Sequence, residues 1–326
     1  MRVKAIRIEE SGGPEVMKWT EVDLPDVRAG EVLLRHTAAG LNFIDTYQRS
    51  GLNTIPLPGG LGVEGAGIIE AVGPGVKDLR VGDRVCYPGA ALPGSYSEAR
   101  VIEAASLVRI PNGVSDQEAA ALANKGMTAE YLVRRCFKVM PGQFVLVHAA
   151  AGGTGQVVGQ WLAAIDAIPI GTAGGPAKCA VASRVGYAHV IDYNSHDWVA
   201  RVFEITKGEG VSVVYDTVGR DTFEGSLKVL KKRGSFVSVG NASGPVDGFQ
   251  LNLLSKLGSL FVTRPTLQDY IGTRNELDAS AKELFNLVKK KKIKADIAQK
   301  YAMSDVASAH IDLENRRTVG MTVLLP

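Results

Sequence analysis

The chain has 326 residues, 45% of them hydrophobic, and a formal net charge of +3 with both signs spread along it. This is ordinary for a soluble globular protein of two domains, and it implies neither a nucleic-acid nor a membrane-surface partner. Three widely spaced cysteines, Cys86, Cys136 and Cys179, form no CxxC and no close Cys/His set. That argues against a disulfide framework and a structural zinc, and points to a reducing compartment, read as the cytoplasm.

Residues 1–10 alternate apolar and charged side chains, the pattern of a half-buried strand. A signal peptide would need an apolar core of about seven residues or more, and no run approaches the ~20 of a membrane span. Residues 1–110 read as mostly strand, with short segments such as 31–36 and 66–72. Gly/Pro clusters at 11–14, 56–60, 73–75 and 88–94 separate them, which predicts a barrel-like β unit. Residues 81–85 fit a turn feeding a strand. After Pro111, Ser115 and Glu118 form a capping box for a helix through Ala123. A second helix is expected at 127–137, with Met127, Tyr131, Leu132 and Cys136 on one face, and Pro141-Gly142 ends that stretch.

From Gln143 the rhythm is strand, helix, strand. Strands are expected at 144–148, 167–171, 189–191, 211–215 and 235–239. The helices between them fall at 156–165, 176–185, 198–207 and 221–230. Such alternation implies parallel βαβ units in a doubly wound sheet, with a binding crevice at the carboxyl ends of the strands. A helix at 275–290 follows, and its basic run Lys289 to Lys292 reads as a solvated end. Strands at 298–303 and 322–325 resemble the first domain again. The expected division is therefore α/β: a β-rich domain of 1–124 with 265–326, and a nucleotide-binding domain of 125–264 inserted between.

The sharpest local signal is an apolar strand running into Ala149-Ala150-Ala151-Gly152-Gly153-Thr154-Gly155 and then a helix with Gly159 one turn on. A pyrophosphate needs free backbone N–H groups, a positive helix end and no obstructing side chain. Gly152, Gly153 and Gly155 allow that approach, and Gly159 suits close helix packing. An NAD site places an Asp or Glu at the end of the second strand. Here that strand runs into Gly171-Thr172-Ala173-Gly174-Gly175 with no acid, and Lys178 follows. A cation there attracts the 2′-phosphate dianion of NADP, which an acid would repel.

Several segments together resemble the zinc-free quinone oxidoreductases of the medium-chain dehydrogenase/reductase family, the group that includes zeta-crystallin. They are Gly12-Gly13-Pro14-Glu15-Val16, Gly40-Leu41-Asn42-Phe43-Ile44-Asp45-Thr46-Tyr47, Gly62-Val63-Glu64-Gly65, Gly82-Asp83-Arg84-Val85, Lys125-Gly126-Met127-Thr128-Ala129, Val214-Tyr215-Asp216-Thr217-Val218-Gly219 and Thr263-Arg264-Pro265. The resemblance covers essentially the whole chain. It implies a GroES-like β-rich catalytic domain, a Rossmann domain, NADPH as cofactor, and a homodimer pairing the segment around Asn252 to Val262 across the subunit axis. It carries Phe43, Ile44, Asp45, Thr46 and Tyr47, with Asn42 beside them, to the nicotinamide side. Tyr131, Gly153 and Thr154 would lie along the pyrophosphate. Gly174, Lys178, Tyr193 and Arg316 would surround the 2′-phosphate, with Arg317 an alternative to Arg316. Val218, Val239, Gly240, Asn241, Ala242, Pro265, Thr266 and Leu267 would line the ribose path. The chain departs from the group at Asp166-Ala167-Ile168-Pro169, where the proline is expected to shift the start of the second strand.

Zinc-containing relatives carry a Cys in the early loop and a Gly-His-Glu segment; here stand Asn42 and Gly62-Val63-Glu64. No metal is expected, since none of the five histidines pairs with another or with a cysteine at ligand spacing. Without a Lewis acid to lower a hydroxyl pKa, alcohol oxidation is disfavoured. Reduction of a quinone or a conjugated carbonyl is easier, because the acceptor delocalises the charge it receives. Asn42 and Tyr47 are the expected hydrogen-bond donors to the acceptor, with cleft-wall packing an equal reading for Tyr47. Asp45 reads more readily as a helix cap, and Glu64 as a structural acceptor of backbone N–H bonds. NADPH-dependent reduction of an enal or enone C=C bond is the rival reading. A structural or RNA-binding role is a third, opposed by the absence of a basic, aromatic-rich stripe.

Overall fold

A computed structural model of the chain describes residues 1–89 and 92–326. Residues 90 and 91, in the expected 88–94 turn cluster, lie outside them. The chain divides into two compact units, Met1–Met127 with Ile271–Pro326, and Thr128–Tyr270.

The first unit opens with β1 (Arg2–Ile8) antiparallel to β2 (Lys18–Asp23). Next comes β3 (Glu31–Gly40), then α1 (Phe43–Ser50), β4 (Gly59–Gly60), β5 (Glu64–Val72), β6 (Arg84–Tyr87), β7 (Ala99–Glu103) and β8 (Val108–Arg109). β3 is the spine of this unit, antiparallel to both β5 and β7. Its alternation buries Val32, Leu34 and His36, and the first two pack with Ile69, Val85, Ile102 and Leu107. Gly82, at φ 89, makes the turn into β6 that the sequence predicts.

Two helices were expected after Pro111, but the structure has one. α2 runs unbroken from Asp116 to Tyr131 and continues as a π-turn over Leu132–Cys136. Ser115 and Glu118 make the expected capping box. Gly126, inside the helix, serves packing: a Cβ there would lie 2.5 Å from Leu284.

The second unit carries β9 (Phe144–Val147), α3 (Gly153–Ala164), β10 (Ile168–Ala173), α4 (Pro176–Arg184), β11 (His189–Asp192), α5 (Trp198–Ile205), β12 (Val211–Asp216), α6 (Phe223–Lys228), β13 (Leu230–Ser238), α7 (Asn252–Lys256) and β14 (Phe261–Thr263). All pairings are parallel, in the order β11-β10-β9-β12-β13-β14. This is the Rossmann order, with its switch point between β9 and β12. Leu146, Ile170, Ile191, Val214 and Phe236 form its core. β10 begins one residue later than predicted and runs two further. Pro169 lies inside it, accepting a bond from Ala188 while donating none. The segment around Asn252 to Val262, expected to pair its strand across a subunit axis, comprises α7 and the start of the short strand β14.

The chain then returns to the first unit through α8 (Arg274–Lys289), β15 (Ile297–Ala302), α9 (Val306–Glu314) and β16 (Met321–Leu325). α8 is capped by Thr273 and Glu276, and Lys289 to Lys292 stand exposed at its end. β16 lies parallel to β15 and antiparallel to β3, extending the sheet.

Candidate functional site

In the second unit the site is built at the carboxyl ends of the parallel strands. After β9 the chain turns through Ala149, at φ 54, and Gly152 caps α3 in extended conformation. The first intrahelical bond is Gln156 N–H to the Gly152 carbonyl, at 2.8 Å. The amides of Gly153 and Thr154 thus lie in the opening turn, where a helix supplies them no acceptor. Such an arrangement, with the positive helix end beneath it, has the chemistry to receive a diphosphate.

Two glycines of the motif do other work. A Cβ on Gly155 would lie 2.3 Å from the Ala149 carbonyl, so this residue lets α3 sit on its own turn. A Cβ on Gly159 would meet the Tyr187 ring at 2.3 Å. That ring also lies against Gly171 and donates its hydroxyl to the Gly155 carbonyl at 2.6 Å. His148, buried under the turn, lies 2.8 Å from Thr172 Oγ1 and 3.0 Å from Ser226 Oγ, and burial holds its pKa below the usual value.

Beyond β10, Gly174 and Tyr193 come together, and α4 opens just after Gly174. A Cβ on Gly174 would stand 2.6 Å from the Tyr193 hydroxyl, so the phenol lies directly over that glycine. Lys178 is in the first turn of α4, half-buried. Val218, Val239, Gly240, Asn241 and Ala242 gather at the ends of β12 and β13. Asp216 ties them: its carboxylate accepts the N–H of Val218 at 2.7 Å and of Gly219 at 3.1 Å, and its carbonyl accepts those of Val239 and Gly240. Pro265 and Thr266 follow β14, and Leu267 opens a short 3-10 turn. Tyr131 and Leu267 are nearly buried, and Tyr131 is stacked on Tyr270 with centroids 4.3 Å apart.

In the first unit, α1 presents the remaining residues. Asn42 caps it, and Asp45 Oδ2 accepts the Asn42 N–H at 2.8 Å. The same oxygen accepts the Tyr96 hydroxyl at 2.6 Å. His310 Nε2 lies 3.4 Å behind Tyr96, and Arg49 reaches His310 Nδ1 at 3.1 Å while forming a bidentate pair with Glu314. Asp45 is fully buried, and burial pushes its pKa up to about 7. The Asp45 carboxylate faces inward, held by the Asn42 N–H and the Tyr96 hydroxyl. Thr46 is likewise buried, its hydroxyl on the Phe43 carbonyl at 2.8 Å. Ile44 is exposed, and the Phe43 and Tyr47 rings are 6.3 Å apart and half-buried. Arg317 is paired with Asp312, while Arg316 stands next to it at φ 58.

Glu64 is also fully buried. It accepts the Asn124 N–H at 2.7 Å and Asn42 Nδ2 at 2.9 Å, and forms an ion pair with buried Lys125. The backbone bond is what the sequence predicts; the lysine, 61 residues away, is not. An amide, a carboxylate and an ammonium do not fit a metal, because the ammonium repels a cation and already holds the carboxylate. Among the described residues no group of three His, Cys, Asp or Glu could hold one.

Residues 28–141 match the alcohol dehydrogenase GroES-like domain, and residues 153–289 the zinc-binding dehydrogenase family. These two modules, in this order, define an oxidoreductase of the medium-chain dehydrogenase/reductase class. The chain is 47% identical to the quinone oxidoreductase of Pseudomonas aeruginosa, over 99% of both proteins. It superimposes on the crystal structure of Escherichia coli quinone oxidoreductase complexed with NADPH with a TM-score of 0.97 and 46% identity, covering 99% of this chain and 100% of that one. A 2-haloacrylate reductase from Burkholderia sp. is 41% identical over 99% of both. The chain belongs to the quinone oxidoreductase family.

Proposed function

We propose that this protein uses NADPH to reduce quinones without a metal, as a cytoplasmic homodimer. The carrying observation is the pairing of the Gly152–Thr154 turn with the Gly174–Tyr193 contact and the opening turn of α4, which carries Lys178, at the ends of adjacent parallel strands. The first suits a diphosphate, the second a further phosphate on the adenosine ribose. The E. coli relative bound to NADPH supports the cofactor.

When bound, NADPH supplies the hydride. The chain contributes placement and charge. Gly153 and Thr154 amides and the α3 dipole hold the diphosphate; Lys178 neutralises the 2′-phosphate. Asn42, oriented by Glu64, and Tyr47 hydrogen-bond the acceptor oxygen as negative charge develops there. Val218, Val239 to Ala242, Pro265 and Thr266 line the ribose path. The Glu64–Lys125 pair supports the metal-free reading, and the free cysteines support a reducing compartment. The exposed edge strand β14 supports the dimer.

The relative named for a 2-haloacrylate favours a second reading, hydride addition to an activated C=C bond. Steady-state assays with NADPH and NADH against 1,2- and 1,4-naphthoquinone and a series of 2-alkenals separate the two. Faster turnover of the naphthoquinones with NADPH is expected; turnover of alkenals alone would reject the quinone reading.

A further inference from the structure

An acid stands beside the Gly174–Tyr193 contact, although not on the second strand. In an NAD site the carboxylate ends that strand and takes the ribose hydroxyls. Here β10 ends at Ala173, and the acid stands one strand over, at Asp192, whose backbone is in register with Ala173. Its carboxylate faces the chain. Oδ1 accepts the N–H of Gly175 at 2.8 Å and that of Asn194 at 3.0 Å. Those two bonds, with Gly175 the larger, hold its pKa below the usual carboxylate range.

Gly175 caps α4 and stands at φ 85, a conformation that leaves its N–H pointing across to β11. The bond therefore ties the turn after β10 to the turn after β11. The first turn carries Gly174 and leads into Lys178; the second carries Tyr193, whose hydroxyl lies over Gly174. Tyr193 N–H in turn bonds the Ala173 carbonyl at 3.2 Å. Three groups that must converge on one phosphate are thus spaced by one carboxylate.

We propose that Asp192 is the positioning residue for coenzyme choice: it locks the Gly174–Gly175 turn against Tyr193 so that Lys178 and Tyr193 meet a 2′-phosphate together. This rests on the NADPH reading above and goes beyond it. Electrostatics alone predicts the reverse effect, because a carboxylate close to a phosphate dianion repels it. Removing the charge and removing the acceptor therefore have opposite consequences, and two variants separate them. Asn at 192 keeps an oxygen for Gly175 N–H and loses the charge; Ala loses both.

The test is kcat/KM for NADPH and for NADH at a fixed naphthoquinone concentration, for the parent, Asp192→Asn, Asp192→Ala and Lys178→Ala. Asp192→Ala should lose roughly ten-fold in NADPH kcat/KM, the scale of one hydrogen bond to a charged group, while NADH changes by less than about two-fold. Asp192→Asn should keep the parent's NADPH value or exceed it. Equal gains with NADPH in both variants would show that Asp192 acts only by its charge and would overturn the proposal. So would equal losses with both coenzymes in Asp192→Ala, the mark of general damage. A parent indifferent to the two coenzymes, or a Lys178→Ala variant as NADPH-selective as the parent, would remove the phosphate pocket itself, and the proposal with it.

Discussion

At the scale of single residues, chemistry and position divide the work. Lys178 and Gly152 announce themselves because their meaning is local: a cation within one turn of a strand end, a bare backbone at a helix start. Asp45 does not, because its neighbours come from far along the chain. Tyr96 and His310 close around it from 51 and 265 residues away. Burial is the largest influence on its carboxyl, raising the pKa from 3.8 to about 7, and the neighbouring Glu64 adds to the rise; the bonds from Tyr96 and Asn42 work against it. The sign of the consequence follows. A carboxyl with a raised folded-state pKa keeps its proton in the folded protein over a range where the unfolded chain has released it. Between about pH 4 and pH 7 this group makes the protein less stable as pH rises, and above pH 7 its contribution is flat. Its full span is on the order of 4 kcal/mol at most, for a shift of about three units. Asp45→Asn keeps an oxygen for Asn42 N–H and Tyr96 and cannot ionise. Urea unfolding at pH 5 and pH 8 should show the variant gaining on the parent at the higher pH. Parallel pH dependence in the two proteins would mean that Asp45 carries no such shift.

Secondary structure was legible wherever apolar periodicity and turn chemistry agreed. Most of the alternating elements of 143–239 stand close to the predicted positions because glycine or a capping residue brackets the strands; the exception is β13, which starts at Leu230 where the sequence predicts a strand only from 235. α2 is one helix where the sequence predicts two, and the Leu284 side chain packed on Gly126 shows why a glycine stands inside it. The glycine-rich turn has the same lesson inside it: four glycines look equivalent, but their surroundings differ. At Gly152 an added Cβ would lie 3.3 Å from the Ala149 carbonyl, a contact relieved by a few tenths of an ångström. At Gly155 the same oxygen would be 2.3 Å away and Ala150 Cα 2.9 Å away, both backbone atoms that cannot rotate aside. Gly155→Ala should therefore cost about 1–3 kcal/mol, as overpacking does, and lower NADPH affinity by displacing the start of α3. Gly152→Ala should be the milder of the two. Thermal unfolding and fluorescence titration with NADPH would check both; a Gly155→Ala protein as stable as the parent would contradict the close seating of α3 on its turn.

For the whole molecule, the open question is what covers the end of the six-stranded sheet. β14 is the last strand; it is only three residues long, and all three are exposed. Phe261 is 63% exposed and Val262 37%. A sheet edge with unpaired N–H and C=O groups and an aromatic beside them invites another strand, and natural proteins protect such edges with charge, proline or a partner. Residues 258–263 read Gly-Ser-Leu-Phe-Val-Thr, with neither charge nor proline within the strand itself, which leaves room for a partner there. A second copy presenting the same strand antiparallel across a two-fold axis would continue the sheet and bury both phenylalanines. The sequence could suggest this only by resemblance, since a segment of α7 followed by a short strand has no pattern that distinguishes a subunit contact from an ordinary edge. Phe261→Asp sets two carboxylates against each other across that axis and leaves the isolated unit's core untouched. By light scattering after size exclusion the parent should run at twice the 34.6 kDa chain mass and the variant at one chain mass. A monomeric parent, or a variant that stays dimeric, would place the subunit contact elsewhere or deny it.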